Sequence, residues 1–213
     1  MAAVDHLTVV APSSEAGMEA FEALTDVRAA PGGRHTVNGT ANALLSLGRR
    51  CFLEIMYPDP EGQPAESLGA RLAKLSAPML ANYLVATNDM DRVVLAAARL
   101  GLAIDPDFTM GRRTPAGEAL SWRIGVVAGH DFGAVVPHFI DWGATPHPGT
   151  TSPVGCTLRS LRAVTPEVES LARIHEGLAI DVPVAAGPAH GIEAVLDTPN
   201  GQLVLRSGER LGG

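Results

Sequence analysis

Three runs of alternating hydrophobic and polar residues divide the chain into units with the same plan. The runs begin at Val4, Ala81 and Leu158, at equal intervals along the sequence, and are rich in residues that favour strands. Each run ends at a turn containing Pro, Asn, Asp or Thr, and helix-forming sequence follows. Further strand-like segments complete each unit. The pattern therefore predicts a β-α-β-β-β unit that is repeated along the chain.

The boundaries of these units follow from composition. The proline-rich segment "ATPHPGTTSP" is the only linker that the sequence indicates, and it separates the second unit from the third. We place the units at approximately residues 1–76, 77–148 and 154–213, within one domain that spans residues 1–213. Such units form curled mixed sheets around a concave pocket, with helices on the convex side. The predicted fold class is therefore α+β, with the concave face as the ligand site.

Alternation along the first strand of each unit predicts which side chains face the pocket. One leucine in each unit is expected to pack under the helices: Leu7, Leu84 and Leu161. The preceding residue is then expected to point into the pocket: His6, Tyr83 and Ser160. The pocket would thus receive one polar side chain from each unit.

Two later strands each carry an acidic residue that could reach the pocket. In "RCFLEIMY", alternation places Glu54 in the pocket together with Phe52 and Met56. In "PHFIDWG", Asp141 and His138 fall on opposite faces, and alternation leaves open which of them faces inward. Glu54 could also be the polar side of an amphipathic strand.

Composition and charge limit the partners and the compartment. Hydrophobic residues make up 46% of the chain and charged residues 18%, as in a globular protein. The net charge of −7 argues against nucleic acid or an anionic membrane as a partner. Cys51 and Cys156 have neither the number nor the spacing of a disulfide framework or a metal site. With no leader or long apolar stretch near the N-terminus, we expect a cytoplasmic protein.

Several motifs in sequence order resemble one known family. They are "DHLTVVAP", "GGRHTVNGTANALLSLG", "FLEIMYPDP", "PHFIDWGATPHPG" and "LDTPNGQLVL". The chain resembles the glyoxalase-like domain proteins of the vicinal oxygen chelate superfamily over roughly Val4 to Arg206. Members of this superfamily include metal-dependent lyases, epimerases and dioxygenases, and metal-free proteins that bind antibiotics. The resemblance implies a small-molecule pocket and allows a homodimer, but it does not determine which reaction the protein catalyses.

The resemblance also implies a place for a divalent metal. Family enzymes hold the metal with a His on the first strand, a His on the matching strand of the next unit and a carboxylate on a closing strand. His6 and Asp141 match two of these ligands, but Tyr83 stands where the second His is expected. Tyr is a poor ligand for such metals. The expectation is therefore no cofactor, with Zn, Mn, Fe or Mg as the alternative.

Acid-base chemistry is the expectation without a metal. His6 can exchange a proton near neutral pH, and Glu54 or Asp141 beside it would complete a catalytic pair. Donors that could steady an enolate oxygen or hold a substrate carboxylate are Arg34, His35, Asn42 and Arg123. Tyr83 and Trp122 complete the predicted substrate-binding set, although Trp122 could equally be a core residue.

Two functions remain open at this stage. The first is a lyase or isomerase that acts on a carbonyl-bearing metabolite. The second is a metal-free protein that binds an antibiotic or a metabolite, in which His6 would be an ordinary structural group. A contacting pair of charged groups in the pocket would favour the enzyme, and an aromatic-lined pocket would favour the binding protein. The low aromatic content, 4%, counts mildly against the latter.

Overall fold

Eight strands from the first two units close into one barrel in the computed structural model, which describes residues 2–211. Around the barrel the order is β1-β4-β3-β2-β6-β7-β8-β5. The strands are β1 (Val4–Val10), β2 (Ala30–His35), β3 (Thr40–Gly48), β4 (Cys51–Pro58), β5 (Met79–Ala86), β6 (Ala103–Arg113), β7 (Ala119–Ala128) and β8 (His138–Asp141). The predicted α+β fold with curled sheets around a concave pocket is confirmed.

The third unit forms a sheet of its own and does not extend the barrel. Its strands pair in the order β10-β9-β11-β12. They are β9 (Thr157–Thr165), β10 (Val184–Ala186), β11 (Gly191–Thr198) and β12 (Gly201–Arg206). Leu161 on β9 is buried in the main hydrophobic core, as expected. Ser160 is exposed on this separate sheet, so the expectation that it points into the pocket is wrong.

Within residues 2–211, four α-helices complete the fold, and a side-chain cap marks the start of the first three. They are α1 (Ser14–Thr25), α2 (Leu68–Leu72), α3 (Met90–Arg99) and α4 (Val168–Gly177). The Ser13 side chain accepts a hydrogen bond from the backbone of Ala16, and Asp89 caps α3 in the same way. The buried face of α1 packs Met18 and Phe21 into the main core. Within residues 2–211, no helix is long and apolar enough to cross a membrane.

The pairing of β1 with β5 corrects the predicted register of the second unit. Leu7 pairs with Tyr83, and His6 pairs with Leu84. Tyr83 therefore lies on the core side, fully buried, and its hydroxyl donates to the carbonyl of Val135 at 3.1 Å. Since side chains alternate along a strand, an error of one residue exchanges the two faces. Leu84 faces the barrel interior, and the expectation that Tyr83 does so is wrong.

A second hydrophobic cluster lies inside the barrel, separate from the main core. Its buried members are Leu84, Met110, Trp122, Ile124 and Ile140. The main core instead fills the space between the barrel, the helices and the third-unit sheet. The strands of the barrel wall separate the two clusters, because side chains alternate between the outer and inner faces of each strand. All five buried members of the second cluster line a cavity inside the barrel.

A candidate acid-base site in the barrel cavity

The barrel encloses a cavity of about 240 Å³, just below the range of about 300–1,000 Å³ typical of ligand sites. Its polar lining residues are His6, Thr8, His35, Asn38, Asn42, Glu54, Asn82, Arg112 and His138. Asn38 lies in the turn between β2 and β3, and the others come from strands of both halves of the barrel, because positions that face the interior recur along every strand. The rest of the wall is largely apolar or aromatic. A small organic molecule would fit such a cavity.

Asp5 holds the ring of His6 in one orientation. Nδ1 of His6 lies 2.6 Å from Oδ1 of Asp5, and both residues are buried. The ring also stacks on Phe52, with centroids 4.5 Å apart. Because an ionised Asp5 can only accept, Nδ1 is the donor, and Nε2 carries the free lone pair on the cavity side. The arrangement prepares His6 to take a proton from a ligand.

Two further donors keep Asp5 in its ionised form. Oδ2 accepts from Nε1 of Trp142 at 2.9 Å and from Nε2 of His147 at 3.2 Å. The backbone N–H of Gly149 donates to Nδ1 of His147, so the ring N–H that donates to Asp5 is on Nε2. Burial acts to raise the pKa of Asp5, but the hydrogen bonds from His147 and His6 outweigh it and lower the pKa to about 2. Asp5 is therefore a carboxylate at neutral pH.

Glu54 lies beside the free nitrogen of His6. Its Oε2 is 3.9 Å from Nε2 of His6 and accepts a long hydrogen bond, 3.4 Å, from the hydroxyl of Thr8. Its Oε1 accepts from Nδ2 of Asn42 at 2.7 Å. Strand pairing explains the placement, because Thr8 on β1 lies directly opposite Glu54 on the parallel strand β4. One oxygen of Glu54 is thus fixed by Asn42, and the other faces His6.

His35 and Arg112 complete the network around Asn42. Nη1 of Arg112 donates to Oδ1 of Asn42 at 3.2 Å, and Nε2 of His35 lies 3.5 Å from Oε1 of Glu54. Burial lowers the pKa of His35, although Glu54 acts in the opposite direction, so His35 is neutral at pH 7. Gly32 leaves the space that this network needs, since a Cβ there would lie 2.4 Å from Oδ1 of Asn42.

Five of the residues predicted for the site line the cavity. They are His6, His35, Asn42, Glu54 and Trp122. Their catalytic and substrate-binding roles stay predictions, but their positions bring acid-base and hydrogen-bonding groups into one enclosed space. The other predicted residues lie elsewhere, each for an identifiable reason.

The two predicted arginines lie outside the cavity, and each holds a carboxylate in an ion pair. Arg34 donates from Nε to both carboxylate oxygens of Asp59 at 2.9 Å. Arg123 grips Asp107 with Nε and Nη2, at 2.7 and 2.6 Å. These carboxylates already satisfy both guanidinium groups, so the structure does not support Arg34 or Arg123 as ligand-binding residues of the cavity.

Asp141 also lies outside the cavity. His138 and Ile140 are the members of β8 that line it, and Phe139 fills the main core. Oδ1 of Asp141 accepts from the backbone of Gly143 at 2.9 Å and thereby stabilises a turn. His6 and Asp141, the predicted metal ligands, therefore do not share a site.

The donors in the cavity do not converge on a metal position. Among residues 2–211, no three His, Cys, Asp or Glu side chains form a group that could hold a metal ion. Nδ1 of His6 is hydrogen-bonded to Asp5, and Oε1 of Glu54 accepts a hydrogen bond from Asn42. Nε2 of His6 and Oε2 of Glu54 are the atoms of this pair left free, 3.9 Å apart, and no third His, Cys, Asp or Glu side chain within residues 2–211 joins them to make the three protein ligands of a catalytic zinc site. The donor set does not fit the metal that the resemblance implies, and the chemistry proposed below uses none.

Asp5, Asn82, Arg112 and His138 were not predicted as site residues. Three of them present buried polar atoms that have no hydrogen-bond partner among the described residues: Oδ1 of Asn82, Nε of Arg112 and Nδ1 of His138. Burial also lowers the pKa of His138, which keeps its ring neutral. Buried polar groups without partners are rare in native proteins, and at a cavity wall they indicate positions for ligand atoms.

Comparison with known proteins places the whole barrel within one family. The sequence matches the family model described as a glyoxalase-like domain over residues 4–178, from β1 to the end of α4. Among curated proteins, none matches the sequence.

Solved structures match this chain at low sequence identity. A hypothetical protein from Staphylococcus aureus has a TM-score of 0.66 and 14% identity, and the match covers 97% of this chain and 85% of that chain. Methylmalonyl-CoA epimerase from Mycobacterium tuberculosis has a TM-score of 0.45 and 18% identity, with coverage of 66% and 87%. At 14% identity, the match to the Staphylococcus aureus protein shows similarity of the fold alone.

Proposed function

The chain belongs to the glyoxalase-like domain family of the vicinal oxygen chelate superfamily, and we propose that it is an isomerase or lyase acting on a small carbonyl compound. The observation that carries this proposal is the buried Asp5–His6 pair, 2.6 Å apart, with the second ring nitrogen of His6 directed to the cavity. A carboxylate that orients a histidine is the arrangement of a general base.

The proposed reaction begins with removal of a proton from the carbon next to the carbonyl group. Nε2 of His6 takes the proton, and the electron pair of the C–H bond moves into the carbonyl group to give an enolate. The imidazolium that forms is stabilised by the carboxylate of Asp5. The cation of Arg112 in the same cavity offsets the negative charge of the enolate, and the low polarity of the wall strengthens both interactions.

The spacing of His6 and Glu54 narrows the reaction type. Two groups that act on opposite faces of one carbon each lie about 3–3.5 Å from it and therefore about 6–7 Å from each other. Nε2 of His6 and Oε2 of Glu54 are only 3.9 Å apart, so they reach the same face of a ligand. This favours transfer of a proton between adjacent atoms, or delivery of a proton to a leaving group, over inversion of one centre.

One feature favours a second candidate function, a protein that only binds a ligand. Four aromatic side chains line the cavity: Phe52, Phe108, Trp122 and Trp142. Trp122 and Trp142 lie with ring centroids 5.0 Å apart and ring planes tilted by 45°, so a flat molecule could stack on one ring and contact the other with its edge. A binding protein needs no oriented base, however, and the Asp5–His6 pair is the feature that it leaves unexplained.

Proton abstraction can be tested without knowing the natural substrate. Small ketones, hydroxy ketones and 2-oxo acids are incubated with the protein in D2O, and deuterium at the α-carbon is measured by 1H NMR. The wild type should catalyse exchange of at least one compound. His6→Gln should lower that rate by about 100-fold or more, since it removes the base. His190→Gln is the matched control, because His190 bonds Thr165 on the third-unit sheet, outside the barrel.

Two results would count against the enzyme. Exchange that persists unchanged in His6→Gln would exclude His6 as the base. Compounds that bind to the wild type without any exchange would support the binding protein instead.

A further inference from the structure

Arg112 is a buried cation without an anionic partner. It is only 6% exposed, yet among residues 2–211 no carboxylate lies within ion-pair distance of its guanidinium group. Burial lowers the pKa of Arg112, and Glu54, which acts from beyond contact distance, only partly opposes this. A buried charge is costly unless it is paired. Arg112 thus differs from Arg34 and Arg123, which are partly exposed and hold carboxylates in ion pairs.

The free edge of Arg112 is the one that binds carboxylates. Its Nη1 is engaged by Asn42, while Nε has no partner among the described residues. Arg123 uses the corresponding edge, Nε with Nη2, to hold both oxygens of Asp107 at 2.7 and 2.6 Å. This side-on geometry matches the two oxygens of a carboxylate. The protein therefore contains, in Arg123, an example of what the same edge of Arg112 could hold.

The second hydrophobic cluster supplies the other half of the site. All five of its buried members, which include Met110, Trp122 and Ile124, line the cavity. Met110 and Arg112 share one face of β6 because they are two residues apart on a strand. A ligand anchored at Arg112 would therefore lie directly against this apolar wall.

From these contacts we propose that the cavity takes a small monocarboxylate with an apolar body, and that Arg112 holds its carboxylate. This inference rests on the proposed function for the reaction that follows binding, whereas the binding itself depends only on Arg112 and the apolar wall. An amine would meet the guanidinium group with like charge and should be excluded.

The test compares ligands that share one carbon skeleton and differ only in the polar group. Binding of 3-phenylpropanoate, 3-phenylpropanamide and 3-phenylpropylamine is measured by isothermal titration calorimetry, together with 4-methylpentanoate and its amide. Acetate serves as a carboxylate without an apolar body. Each larger carboxylate should bind at least tenfold more tightly than its amide and than acetate, and the amine should not bind.

Variants then identify the residue responsible. Arg112→Gln should remove the preference for carboxylate over amide, while Arg113→Gln should retain it, because Arg113 is exposed and bonds the carbonyl of Gly117. If circular dichroism shows that Arg112→Gln is unfolded, Arg112→Lys takes its place, and the loss of two-pronged geometry should reduce the preference. Three results would overturn the proposal. They are equal affinity of the wild type for carboxylate and amide, an unchanged preference for carboxylate in the folded variant of Arg112, and no binding of either larger carboxylate.

The test of carboxylate binding can fail independently of the deuterium-exchange test of the proposed function. Carboxylate binding should persist in His6→Gln, since that variant removes the base and leaves Arg112 in place. Preferential carboxylate binding without deuterium exchange would refute the enzyme but support the ligand class. Exchange of neutral ketones without any preference for carboxylates would refute the ligand class but support the enzyme.

Discussion

The two halves of the barrel have the same order of elements but present different chemistry to the cavity. Thr8 lies two residues before the end of β1 and pairs with Glu54, while Leu84 lies two residues before the end of β5 and pairs with His138. Glu54 and His138 therefore hold equivalent positions in the two halves. Counted in the same way from the strand ends, Asn82 is the equivalent of His6.

The difference lies in how these equivalent side chains are held. In the first half, Asp5 orients His6, and Asn42 orients Glu54. In the second half, Oδ1 of Asn82 and Nδ1 of His138 have no partners among the described residues. Oriented groups are suited to proton transfer, and unpartnered groups are suited to receive a ligand. A duplicated fold thus allows one half to supply the chemistry and the other half to supply binding.

The largest expected effect comes from removing the residue that orients the base. Asp5→Asn should slow deuterium exchange by about 10²–10⁴-fold, because the imidazolium loses its carboxylate and the ring loses its fixed tautomer. Carboxylate binding should be nearly unchanged.

Asp197→Asn provides the control for this variant, because Asp197 pairs with Arg159 on the third-unit sheet. An unchanged rate of deuterium exchange in Asp5→Asn would mean that Asp5 has only a structural role. The contrast between the two halves would then lose its basis.

Asparagine replacements test the same contrast through stability. Asn42→Leu should lower the free energy of unfolding by about 2–4 kcal/mol, because it leaves the buried groups of Glu54 and Arg112 without their shared partner. Asn82→Leu should change it by less than about 1 kcal/mol or raise it, because it removes an unpartnered buried oxygen. Urea unfolding of both variants measures the difference. Equal losses of unfolding free energy in Asn42→Leu and Asn82→Leu would contradict the contrast between the two halves.

Acid should destabilise the protein through Asp5. Its pKa is about 2 in the folded state, against a usual value of 3.8. The stability that Asp5 contributes is therefore present above pH 4 and is lost as the pH falls towards 2. The shift corresponds to about 2 kcal/mol. Unfolding measured between pH 5 and pH 2 should show this loss in the wild type but not in Asp5→Asn. His35, whose pKa burial lowers, should add a loss that begins near pH 6.5 in both proteins.

Alternation along strands predicted much of the first half of the site from sequence. It placed His6, Glu54 and Met56 on the cavity side, where the structure has them. It could not place the second half, because a difference of one residue decides which face a side chain occupies. The sequence predicted a strand from Ala81, but β5 begins at Met79, and two register shifts interrupt its pairing with β1. Tyr83 was therefore assigned to the wrong face.

The arginines show a second limit of sequence reasoning. Arg34 and Arg123 have N–H groups to offer, but Asp59 and Asp107 already hold them in the folded chain. Arg112 and Arg113 are adjacent in "GRRT", so alternation places one inside and one outside without saying which. Which arginine remains unpaired depends on contacts between residues far apart in sequence, and a periodic pattern does not record those contacts.

The smallest expected effects come from substitutions that compare the core face of β5 with its cavity face. Tyr83→Phe should lower the free energy of unfolding by about 1 kcal/mol or less, since it removes one neutral hydrogen bond and Nε2 of His175 also lies 3.0 Å from the carbonyl of Val135. It should leave ligand binding unchanged, because Tyr83 lies on the core side. Leu84→Phe should instead fill part of the cavity and weaken binding of 3-phenylpropanoate. If Tyr83→Phe changed the affinity and Leu84→Phe did not, the register of β5 would be one residue from that described, and Tyr83 would belong to the site after all.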